Sequence, residues 1–347
     1  MKVKIGNKLV GENEPCFISF EPSATFDNIR EAKLMIKKAA DAGCDGIKFQ
    51  TFVPGDSERM MGKKNISVNF RTASGQKQEL VYDALKRREL SESGWGELVK
   101  YAKKLKIGFI SAPYFPETVN FLSDLKIDAL KVSKGDINNV LLIDQMSKTK
   151  LPIILDTREK IFDINTAIKI CEKNKNQNII IMHCPSGYPA EDAGVHLSAI
   201  PALRKKYCYP IAFADHSPGD FMNYAAIGLG AKMLEKTITT NKKIERVEHF
   251  MSLELDELNT FVQNVRSIEK AIGDPKILRK SRVEENARRS FATRIDITKG
   301  QIITREMLEF RRPGNAGIPC SDGFKILNKR ARSDIKKGQF LQWKMLE

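Results

Sequence analysis

Short runs of apolar and β-branched residues recur through the first two-thirds of the chain: CFISFEP (16–22), GIKFQT (46–51), GFISAPY (108–114), ALKVSKGD (129–136), PIILDT (152–157), IIIMHCPS (179–186), IAFADHS (211–217) and KMLEKTIT (232–239). Each is bounded by turn or charged residues and is too continuously apolar for a strand with one wet face, so each predicts a strand buried on both faces. Between them lie stretches with apolar residues at helical spacing, among them NIREAKLMIKKAADAG, SGWGELVKYAKKLK, PETVNFLSDLK and INTAIKICEKNK, and ELDELNTFVQNVRSIEKAIG follows the last run. Eight strand–helix units in about 270 residues predict an α/β fold of the closed (β/α)8 type, a TIM barrel. An open doubly wound sheet fits less well, because no glycine-rich phosphate fingerprint follows the first strand.

Seven of the eight runs end in polar or ionisable residues: Glu21, Lys48 with Gln50, Lys134 with Asp136, Asp156, His183 with Ser186, Asp215 with His216, and Glu235 with Lys236. In a closed barrel the C-terminal strand ends share one mouth, so these residues are expected to ring a single pocket. Residues 52–90 are too many for an ordinary connection and predict an excursion over that mouth. Beyond Gly273 the stretch DPKILRKSRVEENARRS is polar and charged, which predicts a linker over 273–287 between a barrel of residues 1–272 and a module of residues 288–347. The module carries an internal echo, DITKGQIITREMLEF (296–310) against DIKKGQFLQWKMLE (334–347), whose Lys-Gly turns predict a compact β-rich unit.

Composition changes this picture little. At 41% hydrophobic and 29% charged the chain is ordinary for a globular protein, with no apolar run long enough to span a bilayer and no secretory leader, so a cytoplasmic location is expected and a membrane is not. Six scattered cysteines have neither zinc-site nor disulfide-framework spacing. The formal charge of +15 comes from dispersed pairs such as Lys103-Lys104 and Lys205-Lys206, which read as solvated helix faces; nucleic acid gains no support, and a small anionic substrate fits.

In order, AGCDGIKFQTF, LKVSKGDINNVLLI, HCPSGYPA, FADHSPGD, LGAKMLEKTIT, MSLELDEL and ITREMLEFRRPGN resemble the sialic acid (N-acetylneuraminate) synthase family, in which a (β/α)8 barrel precedes an antifreeze-like (SAF, β-clip) domain. The resemblance covers nearly the whole chain. It implies a transferase that condenses phosphoenolpyruvate with an N-acylated amino-sugar aldehyde to give a nonulosonic 2-keto acid and phosphate, with a divalent metal, Mn or Mg, as cofactor. It also implies a homodimer in which the SAF domain of one copy covers the barrel mouth of the other. On that resemblance Lys48 and Lys131 hold the donor, Asp136 handles the sugar carbonyl, and Arg312 reaches in from the SAF domain. Lys134 and His216 join them as catalytic candidates. Gln50, Asn138, Asp156, His183, Ser186, Tyr188, Asp215, Glu235, Lys236, Glu248 and His249 are expected substrate contacts.

The chain also departs from the family pattern. Where the first strand usually reads E-I-G-x-N-H, this one has Phe20 at the glutamate and Thr25 at the histidine; Asp156 and Ala214 stand for usual serines, and Lys134-Gly135-Asp136 for S-G-E. Thr237 replaces the histidine that normally binds metal opposite His216, so the ion is either lost or moved onto His216 with Glu248 or His249. His216 alternatively pairs with Asp215. Lysines in apolar strands are rarely buried without an anionic partner, which favours function for Lys48 and Lys131, with a Schiff base as a second role. Asp136 and Asp156 are otherwise helix caps. Two other readings stay open: a metal-independent, aldolase-like enzyme on the same scaffold, and a sugar-acid binding protein without turnover.

Overall fold

In the computed structural model, residues 1–157, 161–273 and 286–347 are described; the expected linker therefore falls almost wholly outside them. Eight parallel strands form the barrel: β1 (Phe17–Glu21), β2 (Gly46–Gln50), β3 (Gly108–Ala112), β4 (Ala129–Val132), β5 (Ile153–Thr157), β6 (Ile179–His183), β7 (Ile211–Asp215) and β8 (Met233–Thr239). Neighbours in sequence pair with one another, and β8 pairs with both β7 and β1, which closes the sheet. Helices follow the strands as the apolar spacing predicts. The first, Ile29–Asp41, buries Ala32, Met35, Ile36 and Ala39 on one face, and the Asn28 side chain caps it by accepting from the Glu31 amide.

Strand alternation divides the core in two. Ile18, Phe20, Ile47, Phe49, Leu130, Leu155, Phe213 and Leu234 point outward and pack with the helices. Phe17, Ile110, Ala129, Ile154, Ile180, Met182, Ala212 and Met233 point inward. A hairpin of Lys2–Ile5 and Lys8–Gly11, which the hydrophobic pattern did not predict, adds Val3, Ile5 and Val10 to this inner cluster. One end of the barrel is thus filled with apolar side chains, and the charged inward positions lie beyond that apolar layer.

The 52–90 excursion forms a short helix (Asp56–Met60), a hairpin (Ser67–Thr72 with Gly75–Leu80) and a second helix (Val81–Lys86). Phe70 and Ala84 from it pack with Ala24 and Val247, so it sits against the loops after β1 and β8.

The chain divides into two compact units, Met1–Ile272 and Gly273–Glu347. The second has its own core, including Phe291, Ile297, Ile303, Leu308, Ile335 and Leu341, and an antiparallel pair, Ser290–Thr293 with Leu308–Arg311. Its sequence echo is a structural one: Ile297 bridges Ile335, the Lys299 amide donates to Asp334 Oδ1 at 2.8 Å, and the Lys337 amide donates to Asp296 Oδ1 at 2.7 Å. Gly300 and Gly338 both take φ +82°, a left-handed conformation that the repeated Lys-Gly turn needs.

Candidate active site

A cavity of about 470 Å³ opens at the C-terminal strand ends, lined by side chains from the barrel strands, the excursion and the loop after β8. Every second strand residue points in, so Glu21, Lys48, Lys131, Asp156 and Glu235 converge on its floor. All five are at most 4% exposed. They form an alternating chain: Lys48 donates to Glu21 and lies 4.0 Å from Glu235, while Lys131 donates to Glu235 and lies 3.8 Å from Asp156. A buried charge is tolerated only with such partners, which explains how lysines sit inside an apolar barrel.

The electrostatics follow from burial and these neighbours. Burial alone would raise the Glu21 carboxyl, but Lys48 and Lys131 hold it below the usual carboxylate range. Burial alone would lower Lys131, yet Glu235, Asp156 and Glu21 push its ammonium above the usual lysine range. Glu235 is raised, because burial outweighs the attraction of Lys131 and Lys48. These carboxylates favour the charged form of Lys131, whereas a Schiff base needs the neutral amine.

The rim is built from turns and from the excursion. The helical turn Lys134–Asp136 after β4 lines the cavity, and Asp136 accepts from Ser133 Oγ at 2.8 Å and Asn139 Nδ2 at 3.2 Å. The cap of the following helix is Asn139, whose side chain accepts from the Leu142 amide, which leaves Asp136 on the cavity wall. Gln50 lines the wall and donates to Glu21 and to Ser23; its carbonyl oxygen accepts from Tyr114 and Arg88. Glu248 also faces the cavity, accepting from the Ala24 amide at 2.8 Å with Arg88 3.7 Å away. Tyr188 stacks on His216 at 5.4 Å between centroids, and Cys184 Sγ lies 3.9 Å from His216 Nε2.

Six expected contacts lie elsewhere. Asp215 and Lys236 occupy outward strand positions and form a fully buried pair at 2.8 Å behind the barrel wall, with Ser217 and Asn223 also donating to Asp215. The sequence offered His216 as an alternative partner of Asp215, whose oxygens accept here from Lys236, Ser217 and Asn223. His183 also points outward, its Nε2 2.7 Å from the Val195 carbonyl. His249 shares a 2.8 Å hydrogen bond with Thr239 Oγ1, and Asn138 and Ser186 are exposed; none of these three lines the cavity. Arg312 belongs to the second unit.

The sequence reading passed over Arg88 and Tyr114. Arg88 is 7% exposed and comes from the excursion, and Tyr114 lies just past β3, the one strand without a recognised polar end. A buried guanidinium in an insertion leaves no periodic signal. Glu21 gains weight for the opposite reason: Phe20, at the usual glutamate position, points outward against Phe261, and Glu21 points in.

The divalent metal implied by resemblance finds no matching donor set. Thr237 carries a buried hydroxyl with no hydrogen-bond partner where a second imidazole would be needed, and the His216 ring lies against a thiol and a phenol ring. Among the described residues no three His, Cys, Asp or Glu side chains converge to hold an ion, so neither His216 with Glu248 nor His216 with His249 forms a relocated site.

Comparison with known proteins adds identity to this geometry. The NeuB family signature matches residues 35–277 and the SAF domain signature residues 288–347. Protein MJ1065 of Methanocaldococcus jannaschii is 33% identical over 99% of this chain and 98% of its own. The N,N'-diacetyllegionaminic acid synthase of Campylobacter jejuni is 32% identical over 90% of this chain and 94% of its own. The crystal structure of N-acetylneuraminic acid synthetase from Leptospira borgpetersenii superposes with a TM-score of 0.72 at 28% identity, covering 83% of this chain and 95% of that one. Among the described residues no helix is long and apolar enough to cross a membrane. Barrel, cavity and terminal module agree with these matches, and the chain belongs to the NeuB family, with a C-terminal SAF domain.

Proposed function

We propose that the protein is a nonulosonic acid synthase: it joins a three-carbon 2-oxo-acid unit, which phosphoenolpyruvate supplies in the synthases that the sequence resembles, to the aldehyde of an N-acylated amino sugar. The observation that carries this reading is the pair Lys48 and Lys131, buried in apolar strands yet facing one cavity at the barrel mouth of a NeuB-family chain. Two ammonium groups there neutralise the donor carboxylate and the charge that develops as C3 attacks the aldehyde. Lys134 and Asp136, on the rim, polarise and protonate the aldehyde oxygen. Gln50, Tyr188, Arg88 and Glu248 supply further polar contacts for the sugar.

The reading includes a homodimer in which the SAF domain of one copy closes the mouth of the other and brings Arg312 to the sugar. The test is incubation of the full chain with phosphoenolpyruvate or pyruvate and a panel of N-acyl hexosamines, followed by mass spectrometry for a nine-carbon 2-keto acid. Such a product is the expected result. Its absence across both donors and the whole panel would reject the function.

A further inference from the structure

The cavity has two unlike ends. Its floor is the ionic chain from Glu21 to Asp156, whereas the excursion lends Met60, Val68, Val81, Ala84 and Leu85 to the lining and the loop after β8 adds Val247. Ala84 and Val247 also serve the small cluster around Phe70, with Val68 packed beside them. Met60, Val81 and Leu85 belong to none of the apolar clusters of the described residues, so packing of a core does not explain their place. Gln50, Arg88 and Glu248, which line the cavity beside this wall, are largely spent on one another and on their neighbours. Gln50 donates to Glu21 and Ser23 and accepts from Tyr114 and Arg88, and Glu248 accepts from the Ala24 amide with Arg88 3.7 Å away. Arg88 retains one unused donor: it is 7% exposed, and its Nε is buried without a hydrogen-bond partner.

We propose that this wall selects an acceptor whose end remote from the aldehyde is apolar: a 2,4-diacylamino-6-deoxy sugar. Such a sugar has a terminal methyl where an ordinary hexosamine has a hydroxymethyl, and a second acylamino group where it has a hydroxyl. The proposal rests on the synthase reading above and narrows its acceptor. With the donor held at Lys48 and Lys131, the aldehyde carbon must come to the floor, so the far end of the sugar extends past the strand ends to the excursion. A hydroxyl set against aliphatic side chains gives up water for no partner, whereas a methyl there removes apolar area from water. A 6-phosphate fares worse still. Among the described residues Arg88 is the one cation that the excursion lends to the lining, and it is already engaged with Gln50 and Glu248. An acylamino group matches both features, because its carbonyl is the acceptor that Arg88 Nε lacks and its methyl meets the wall.

The test compares N-acetylmannosamine, its 6-phosphate and 2,4-diacetamido-2,4,6-trideoxymannose on the full chain with phosphoenolpyruvate. The trideoxy sugar should show kcat/KM at least about tenfold above N-acetylmannosamine and at least about 100-fold above the 6-phosphate. In the double variant Val68→Thr/Val81→Thr, which adds two hydroxyls at nearly constant volume, the ratio of trideoxy sugar to N-acetylmannosamine should fall at least about threefold with the melt unchanged. A merely structural role for these valines would lower both rates alike and leave the ratio where it was. Equal or better use of N-acetylmannosamine or its phosphate would overturn the inference and leave the synthase reading intact, as would an unchanged ratio in the double variant. If none of the sugars is turned over, the synthase reading loses support while the inference is still decided, by calorimetry of the same three sugars. Tighter binding of the trideoxy sugar then upholds it, and equal, weaker or undetected binding sinks it.

Discussion

Lys131 and Lys236 are both buried lysines paired with acids, yet they have opposite expected roles, and the difference is one step of strand parity. Lys131 faces the cavity. Replacing it in Lys131→Ala leaves Glu235 and Asp156 without their nearest cation; activity should fall at least about 100-fold, since a charge-assisted contact worth about 1.5–3 kcal/mol is lost and strengthens in the transition state. The stability loss should be smaller at pH 5 than at pH 8, because the stranded carboxylates then take up protons. Lys236 faces away. Lys236→Met should cost about 3–5 kcal/mol by breaking a buried pair, read as a lower denaturation midpoint, with KM unchanged below that midpoint. A raised KM would return Lys236 to the site.

His249 offers a pH test of the same kind. Burial, then Arg246 and Arg87, push its imidazole down to about 4 from the ordinary histidine value of about 6.5. The folded protein therefore holds it neutral while the unfolded chain protonates it below its ordinary value, so the unfolded state binds more protons between about 6.5 and 4. Stability should fall as pH drops through that window, by about 3 kcal/mol in all. In His249→Asn this slope should flatten in urea melts between pH 7 and pH 4.

At the level of elements, the excursion is a wall of the cavity as well as an insertion. Its hairpin is held to the barrel by few apolar side chains, with Phe70 at their centre beside Ala24, Ala84 and Val247. Phe70→Ala should cost about 3 kcal/mol. Because the cluster is small and local, the loss should appear as faster hydrogen exchange over 67–86 and a raised KM for the sugar, with the barrel melt little changed. Uniform loss of protection over the whole barrel would contradict that division. The SAF repeat illustrates how much an element can owe to pattern: D-I-x-K-G-Q recurs, and each copy's aspartate accepts from a backbone amide of the other copy's turn.

For the whole molecule, the two units have separate cores, and residues 1–272 hold the complete barrel with its cavity. A chain ending at Gly273 should fold, with one cooperative melt and an intact barrel cavity, but lose sugar affinity if Arg312 and the SAF domain complete the mouth. Full synthase activity in that chain would refute the dimer arrangement proposed above.

The sequence by itself determined the strands of the barrel, because both-face burial forces continuous apolar runs and crossover helices force amphipathic spacing between them. It also located the strand ends as the polar mouth, and the repeat in the terminal module. What it left open was which of two adjacent residues enters the barrel: Phe20 or Glu21, His183 or Cys184, Asp215 or His216, Glu235 or Lys236. One residue of register exchanges the two faces, and the apolar runs carry no alternation to fix it, since inside and outside are both apolar over most of their length. Closure of the sheet decided that question, and it brought Glu21, Lys48, Glu235, Lys131 and Asp156 together from five strands. Arg88 and the N-terminal hairpin reach their places through contacts distant in sequence, and only the tertiary structure supplies those.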